Sequence, residues 1–135
     1  MQYFTNSSSA EIHSLLKQIW GYDAFRYPQL EIIQHVFRKD SCLAIMPTGS
    51  GKSLCYQMLS LISTKLVLVV SPLIALMEDQ VKQAEILGIS AASLHSSLDL
   101  QMSKVVQQRL SQNDIMILYV SPERLQVPSF ILLMR

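Results

Sequence analysis

The residues best suited to chemistry lie together at positions 47–53, PTGSGKS. Gly49 and Gly51 permit a turn whose backbone N–H groups converge, and a Cβ at either position would crowd an anion held there. Lys52 brings a positive charge suited to the β and γ phosphates of a nucleoside triphosphate. The Ser53 hydroxyl is the kind of hard oxygen that ligates Mg²⁺. Thr48 and Ser50 complete the loop. The apolar run CLAIM precedes it and the helical pattern KSLCYQMLSLI follows it, the strand-loop-helix context a phosphate loop requires. The strict pattern has Gly where Met46 stands, which counts against a general nucleotide kinase. A Gly-rich turn with an exposed lysine is the plain alternative, but the flanking elements and the Lys-Ser ending favour a triphosphate site.

Upstream, Gln29 offers a donor and an acceptor side by side, which matches the N6 and N7 edge of adenine. Tyr22 could stack on such a ring, and Arg26 could add a donor or a cation over it. Taken alone, these three residue types are also what an ordinary surface loop carries. Downstream, Ser71 and Ser121 each end an apolar run and each precede a proline, so both read as a helix N-cap followed by a first-turn proline. Such a helix start can also hold a phosphate. His95 follows a third apolar run, and a lone histidine is most simply structural. His13 and His35 fall in amphipathic stretches, and Glu78 with Asp79 reads as a solvated helix face.

The elements that must position these residues follow from periodicity. SAEIHSLLKQIW has helical spacing, with Ser8 and Glu11 set for a capping box. A second helix is signalled by Pro28 at a first-turn position, with Gln29 just inside it and Ile32, Ile33, Val36 and Phe37 on one face. From Ser41 the apolar runs CLAIM, LVLVV, AASL and IMILYV alternate with helical stretches, which predicts parallel strands buried on both faces. Four polar loops then follow the carboxyl ends of four strands, along the edge where open α/β sheets bind ligands. After Pro128 the chain runs to SFILLMR without a polar finish, which reads as truncated.

Composition narrows the class. The chain has 135 residues, 50% hydrophobic and 16% charged, with a net charge of +1, which excludes disordered, collagen-like and coiled-coil readings. So small a net charge gives no broad field for nucleic acid, so DNA contacts must be local. Low charge together with seven methionines suggests a surface partly meant to be covered. Cys42 and Cys55 fit no metal spacing, and reduced thiols in an intracellular protein are expected. No apolar run is long enough to span a membrane, and the polar MQYFTNSSS lacks the basic start and apolar core expected of a signal peptide.

Four segments carry a resemblance. WGYDAFRYPQLEII resembles the nucleotide-recognition segment of RecQ DNA helicases, MPTGSGKSLCYQ their motif I, VVSPLIALMEDQV their motif Ia, and YVSPERL the segment before motif II. The resemblance implies a superfamily 2 helicase that drives 3′ to 5′ DNA unwinding with ATP and Mg²⁺. The implied fold is a P-loop NTPase of the RecA-like α/β class, an incomplete open parallel sheet flanked by helices with an N-terminal helical extension. Residues 1–40 would be helices carrying the adenine segment, and 41–135 part of the first RecA-like domain. By the same likeness Tyr22, Arg26 and Gln29 contact adenine. Thr48, Gly49, Ser50, Gly51, Lys52 and Ser53 contact phosphates, with Lys52 and Ser53 closest to the chemistry and Ser53 on Mg²⁺. Ser71, Pro72, Leu73, Gln80, Ser121 and Arg124 contact the single-stranded DNA backbone. Tyr27 and Pro28 stand where the family usually has Pro-Gly, and His95 where it more often has Asn.

Hydrolysis calls for a carboxylate on Mg²⁺ and another to position water, and no Asp-Glu pair here follows a strand run. The resemblance sets the D-E-x-H motif beyond Arg135, with a second RecA-like domain and its arginine finger further on. The chain alone is expected to bind nucleotide and single-stranded DNA without efficient hydrolysis. It would be nuclear in a eukaryote or at the nucleoid in a bacterium, with no membrane partner. The alternatives are a noncatalytic truncated product acting as an interaction module, and a small P-loop nucleotide kinase.

Overall fold

The computed structural model describes residues 8–134, which form two compact units, one ending at Lys65 and the other beginning at Leu66. The first unit is helical. Helix α1 (Ser9–Leu15) starts with the expected capping box: the Ser8 hydroxyl accepts from the Glu11 N–H at 3.3 Å, and the Glu11 carboxylate accepts from the Ser8 N–H at 2.7 Å. The helix widens into a π turn (Leu16–Trp20) that stops at Gly21, whose φ of 73° is left-handed. Helices α2 (Gln29–Phe37) and α3 (Lys52–Ile62) follow.

The apolar stripes converge as their helical spacing requires. Ile12 and Leu16 pack with Ile33 of α2 and with Leu54, Cys55, Met58 and Ile62 of α3, and Trp20, Phe25 and Phe37 close the margins. Burial pushes the Cys55 thiol up to about 11, whereas Cys42 is exposed; both are free thiols. The expected strand over CLAIM is not formed. Residues 41–47 carry no regular structure, and Leu43 and Ile45 are each 88% exposed. A strand exists only through a ladder partner, and among the described residues no strand pairs with this segment.

The second unit is an open α/β sheet. Strands β1 (Val67–Val70), β2 (Ala91–Leu94) and β3 (Ile117–Val120) are all parallel, in the order β1-β3-β2. Helix α4 (Ile74–Ile86) makes the first crossover and α5 (Leu100–Ser111) the second, and both are long enough for parallel return. Asp99 caps α5 by accepting from the Met102 N–H at 2.8 Å. A short 3₁₀ turn (Pro122–Gln126) leads into α6 (Pro128–Leu133), so the apolar end that reads as truncated is helical through Leu133.

On one sheet face Ala92, Leu94, Leu118 and Val120 pack with Val106 of α5 and Phe130 of α6. Helix α4, whose buried Met77 and Ala84 lie outside that cluster, packs against β2 and β3. The central strand is buried along its whole length, as its continuous apolar run predicts. The edge strand β1 departs from that expectation. Its Leu68 and Val70 share a face with Leu118 and Val120 but are 41% and 47% exposed. Among the described residues no helix packs on β1 as α4 does on β2 and β3, so alternation replaces full burial.

This contrast makes a stability prediction. Leu118→Ala removes a fully buried side chain from the central strand and should lower unfolding free energy by about 2–5 kcal/mol. Leu68→Ala on the edge should cost less than about 1 kcal/mol. Urea unfolding of both variants followed by circular dichroism checks the difference.

Candidate functional site

The phosphate-loop residues fall in the first unit and are shaped by two left-handed glycines. Gly49 has φ 79° and Gly51 φ 81°, a region that costs other residues about 1–2 kcal/mol. Gly51 is the N-cap of α3 and has no side chain to cap it. The first-turn N–H groups, beginning at Lys52 and Ser53, are therefore left for an external acceptor. Partial positive charge gathers there because the peptide dipoles of α3 align.

Side chains brace the loop from within. The Lys52 ammonium donates to the Met46 carbonyl at 2.6 Å and the Pro47 carbonyl at 3.2 Å. The Ser50 hydroxyl donates to the Pro47 carbonyl at 2.6 Å. Thr48 and Gly49 are exposed, Ser53 is half-buried in the first turn of α3, and Lys52 is exposed with its head folded onto the loop's entry. An ammonium in this position can exchange a carbonyl for a phosphate oxygen without leaving the loop.

The upstream segment meets the same loop. The Gln29 amide oxygen accepts from the Arg26 N–H at 2.8 Å, while its NH₂ donates to the Gly51 carbonyl at 3.0 Å and lies 3.4 Å from the Ser50 carbonyl. Arg26 reaches the Gly49 carbonyl at a long 3.4 Å. Gln29 is only 3% exposed, and a Cβ built on Gly51 would collide with its NH₂. Sequence reasoning set Gln29 beside an adenine; here its amide is seated under the phosphate loop. Tyr22 is half exposed and Tyr27 almost fully exposed. Gln29 opens α2 as expected, but Pro28 takes the N-cap position just outside the helix rather than its first turn.

The second unit gathers another group of site residues. The ladder pairs Val70 with Val120 and Leu94 with Val120, so Ser71, His95 and Ser121 follow three neighbouring strand ends. Ser71 N–H donates to the Val120 carbonyl at 3.0 Å and Ser121 N–H to the Leu94 carbonyl at 3.2 Å, extending the alignment past the strands. Three of the four loops expected on one edge are thus aligned within this unit.

Local details correct the capping expectation for Ser71. Helix α4 begins at Ile74 with Leu73 as its N-cap, and the Ser71 hydroxyl accepts from the Leu73 N–H at 3.3 Å, a tight turn before the helix. Pro72 and Leu73 are exposed on that turn, and Gln80 is partly buried on α4. Ser121 does hold the N-cap position of the 3₁₀ turn, with Pro122 first inside, yet it is buried and its side chain makes no capping bond. The nearby Ser121 hydroxyl and a backbone N–H hold the exposed Glu123 carboxyl below the usual carboxylate range.

Sequence reasoning missed two partnerships. Arg124 donates to the Ser103 hydroxyl of α5 at 3.1 Å, which ties the loop after β3 to a helix face. His95 is buried, with Nε2 3.7 Å from the Glu78 carboxylate. No local spacing links residues that distant in the chain, so only the folded crossovers reveal these pairs. Among the described residues no three metal-ligating side chains cluster, and no helix is long and apolar enough to cross a membrane.

Comparison with known proteins bears on this geometry. Over 114 residues the chain is 47% identical to the ATP-dependent DNA helicase RecQ of Synechocystis, covering 84% of this chain and 24% of that protein. It is 45% identical to the RecQ of Haemophilus influenzae, covering 87% of this chain and 19% of that protein. It is 38% identical to the ATP-dependent DNA helicase Q-like 5 of Arabidopsis thaliana, covering 97% of this chain and 14% of that protein. The chain thus spans about a quarter or less of the length of these relatives. Residues 26–131, which include the phosphate loop and all three strands, match the model of the DEAD/DEAH box helicases, and the chain belongs to that family.

Proposed function

We propose that the chain is the nucleotide-binding part of a RecQ-like 3′ to 5′ DNA helicase, an ATP hydrolase in its complete form, and that residues 41–135 supply part of its first RecA-like domain. The observation that carries this reading is the uncapped start of α3 behind two left-handed glycines, with Lys52 in its first turn. That arrangement offers N–H groups and an ammonium to one anionic tail. Phosphate contacts then come from Thr48 through Ser53, and adenine contacts from Tyr22, Arg26 and Gln29.

The donor set also fits Mg²⁺. Ser53 offers one hard oxygen, and a Mg²⁺ held by a hydroxyl, phosphate oxygens and water needs no protein cage. The ion would neutralise charge on the β and γ phosphates. Hydrolysis would further need carboxylates, and no Asp-Glu pair follows a strand within these residues. A general base is worth about 10² to 10⁴ in rate, so this chain by itself would bind ATP and turn it over very slowly.

The aligned loops after β1 and β3 support the DNA part of the reading. Ser71, Pro72, Leu73, Gln80 and Arg124 would follow the phosphates of a single strand, and Ser121, buried at the end of β3, would act through the loop it begins; discrimination between bases would be small because hydroxyl, backbone and guanidinium donors address charge.

Titration with a fluorescent ATP analogue tests the first part. Lys52→Ala should weaken binding at least about tenfold, and equal affinity in the two proteins would remove the phosphate-loop claim. For the second part, single-strand affinity should fall with salt, and Arg124→Ala should flatten the log–log slope by about 0.7, the loss of one phosphate contact. A flat curve for the unsubstituted chain would eliminate the DNA assignment.

A further inference from the structure

Strand β1 leaves one side of its backbone open. The N–H groups of Val67 and Ser71 donate to the Met116 and Val120 carbonyls at 2.9 and 3.0 Å, and successive residues of a strand aim their peptide groups to opposite sides. The peptide groups of Leu68 and Val70 therefore point away from β3. Among the described residues no strand lies on that side. The same two residues carry the exposed apolar side chains of this edge. Sheet edges are ordinarily kept from pairing by a charge, a proline or a bulge. Strand β1 has none of these: it reads VLVV and pairs with β3 residue for residue. At the opposite edge α4 and α5 both pack on β2, and three of its four residues are buried.

We propose that β1 is a self-association edge, to which a second copy of this chain adds its own β1, antiparallel, across a two-fold axis. A second copy fits this edge better than a foreign partner. With no charged side chain in the strand, a charged or polar partner finds nothing there to recognise. The edge offers outward peptide groups and an apolar face, and an identical edge complements both, because antiparallel pairing about a two-fold axis is self-complementary. A net charge of +1 gives two copies no general repulsion.

Setting Leu68 opposite its counterpart lets the two exchange both backbone bonds, with Leu66 and Val70 paired on either side. Leu66, Leu68 and Val70 of both copies then share one face, the face on which Leu118 and Val120 are buried. Two three-stranded sheets become one of six. A strand of four residues from each copy is small against the roughly 1,200–2,000 Å² of a stable specific interface. The dimer is therefore weak, with a Kd on the order of tens of micromolar. Because the paired strands run oppositely, the loops at Ser71 and Ser121 of the two copies lie at opposite ends of the joined sheet. Association of this kind needs no nucleotide and stands apart from the phosphate loop.

Sedimentation velocity on the full chain, from about tenfold below that Kd to about tenfold above it, should show a reversible monomer–dimer equilibrium. Over the same range the Leu68 and Val70 amides should gain protection from hydrogen exchange, by about fivefold at the top, where roughly a fifth of the chains remain unpaired. Leu68→Pro removes an outward N–H and leaves the β3 ladder intact, and Leu68→Lys puts a charge on the edge. Either should weaken dimerisation at least about tenfold. Ile86→Lys, at a residue 84% exposed on α4, should leave it unchanged. Each variant is checked for cooperative thermal unfolding, and Leu68→Lys decides the matter if the proline impairs folding. A chain that stays monomeric throughout, or association that survives both Leu68 variants, would overturn the assignment. So would an equal loss in Ile86→Lys, the mark of nonspecific adhesion, or Leu68 and Val70 protection that does not change with concentration.

Discussion

The left-handed backbone at Gly51 is the constraint on which the first unit turns. At that one residue the chain stops following the loop and enters α3, and the helix begins without a side-chain cap. A serine or aspartate at the same place would satisfy a first-turn N–H and close the site to an anion. Glycine leaves those donors open and also leaves room beneath, where the Gln29 amide sits. Two needs, an open helix start above and a close approach below, meet on one missing Cβ. The helical core of Ile12, Leu16, Ile33 and Met58 gives this arrangement its footing, because α2 carries Gln29 and α3 carries Lys52 and they share that core.

The second unit relies on a different interaction, the parallel ladder on both sides of β3. Parallel pairing fixes which residues end their strands together, and two further backbone bonds beyond the strands hold Ser71 and Ser121 in the same register. The crossover helices have to be long for such pairing, and their lengths bring in partners from far along the chain. Ser103 meets Arg124 because α5 spans the sheet, and Glu78 meets His95 because α4 does.

What could be read from residues alone follows the same division. Contacts set by local spacing were legible: the Ser8–Glu11 box, the strand runs of LVLVV and IMILYV, the glycines that open the phosphate loop. The parallel sheet was legible too, since helical connections of a dozen residues leave few alternatives. Strand formation at CLAIM was not, because apolar sequence supplies a side-chain preference and cannot supply the neighbour whose carbonyls the ladder needs. The exposed face of β1 escaped for a related reason, as an apolar run looks the same at an edge and at a centre. Gln29 was legible as a functional residue through its chemistry, but its seat under Gly51 depends on the turn of a loop more than twenty positions away.

The polar groups at the strand ends carry the last step. Arg124 is tied to Ser103, and a guanidinium already held in place loses less freedom when it meets a phosphate than one swinging in water. His95 differs, being sealed beneath the surface beside Glu78, with neither ring nitrogen hydrogen-bonded among the described residues. A group so placed does not reach a ligand directly. Its effect on that edge has to pass through α4, the helix that carries Glu78 and begins just after the Ser71 turn. On the proposed reading, then, the nucleic-acid track divides into donors that touch the strand and buried polar groups that hold the loops bearing them. The two kinds are told apart by burial, which spacing along the chain does not encode.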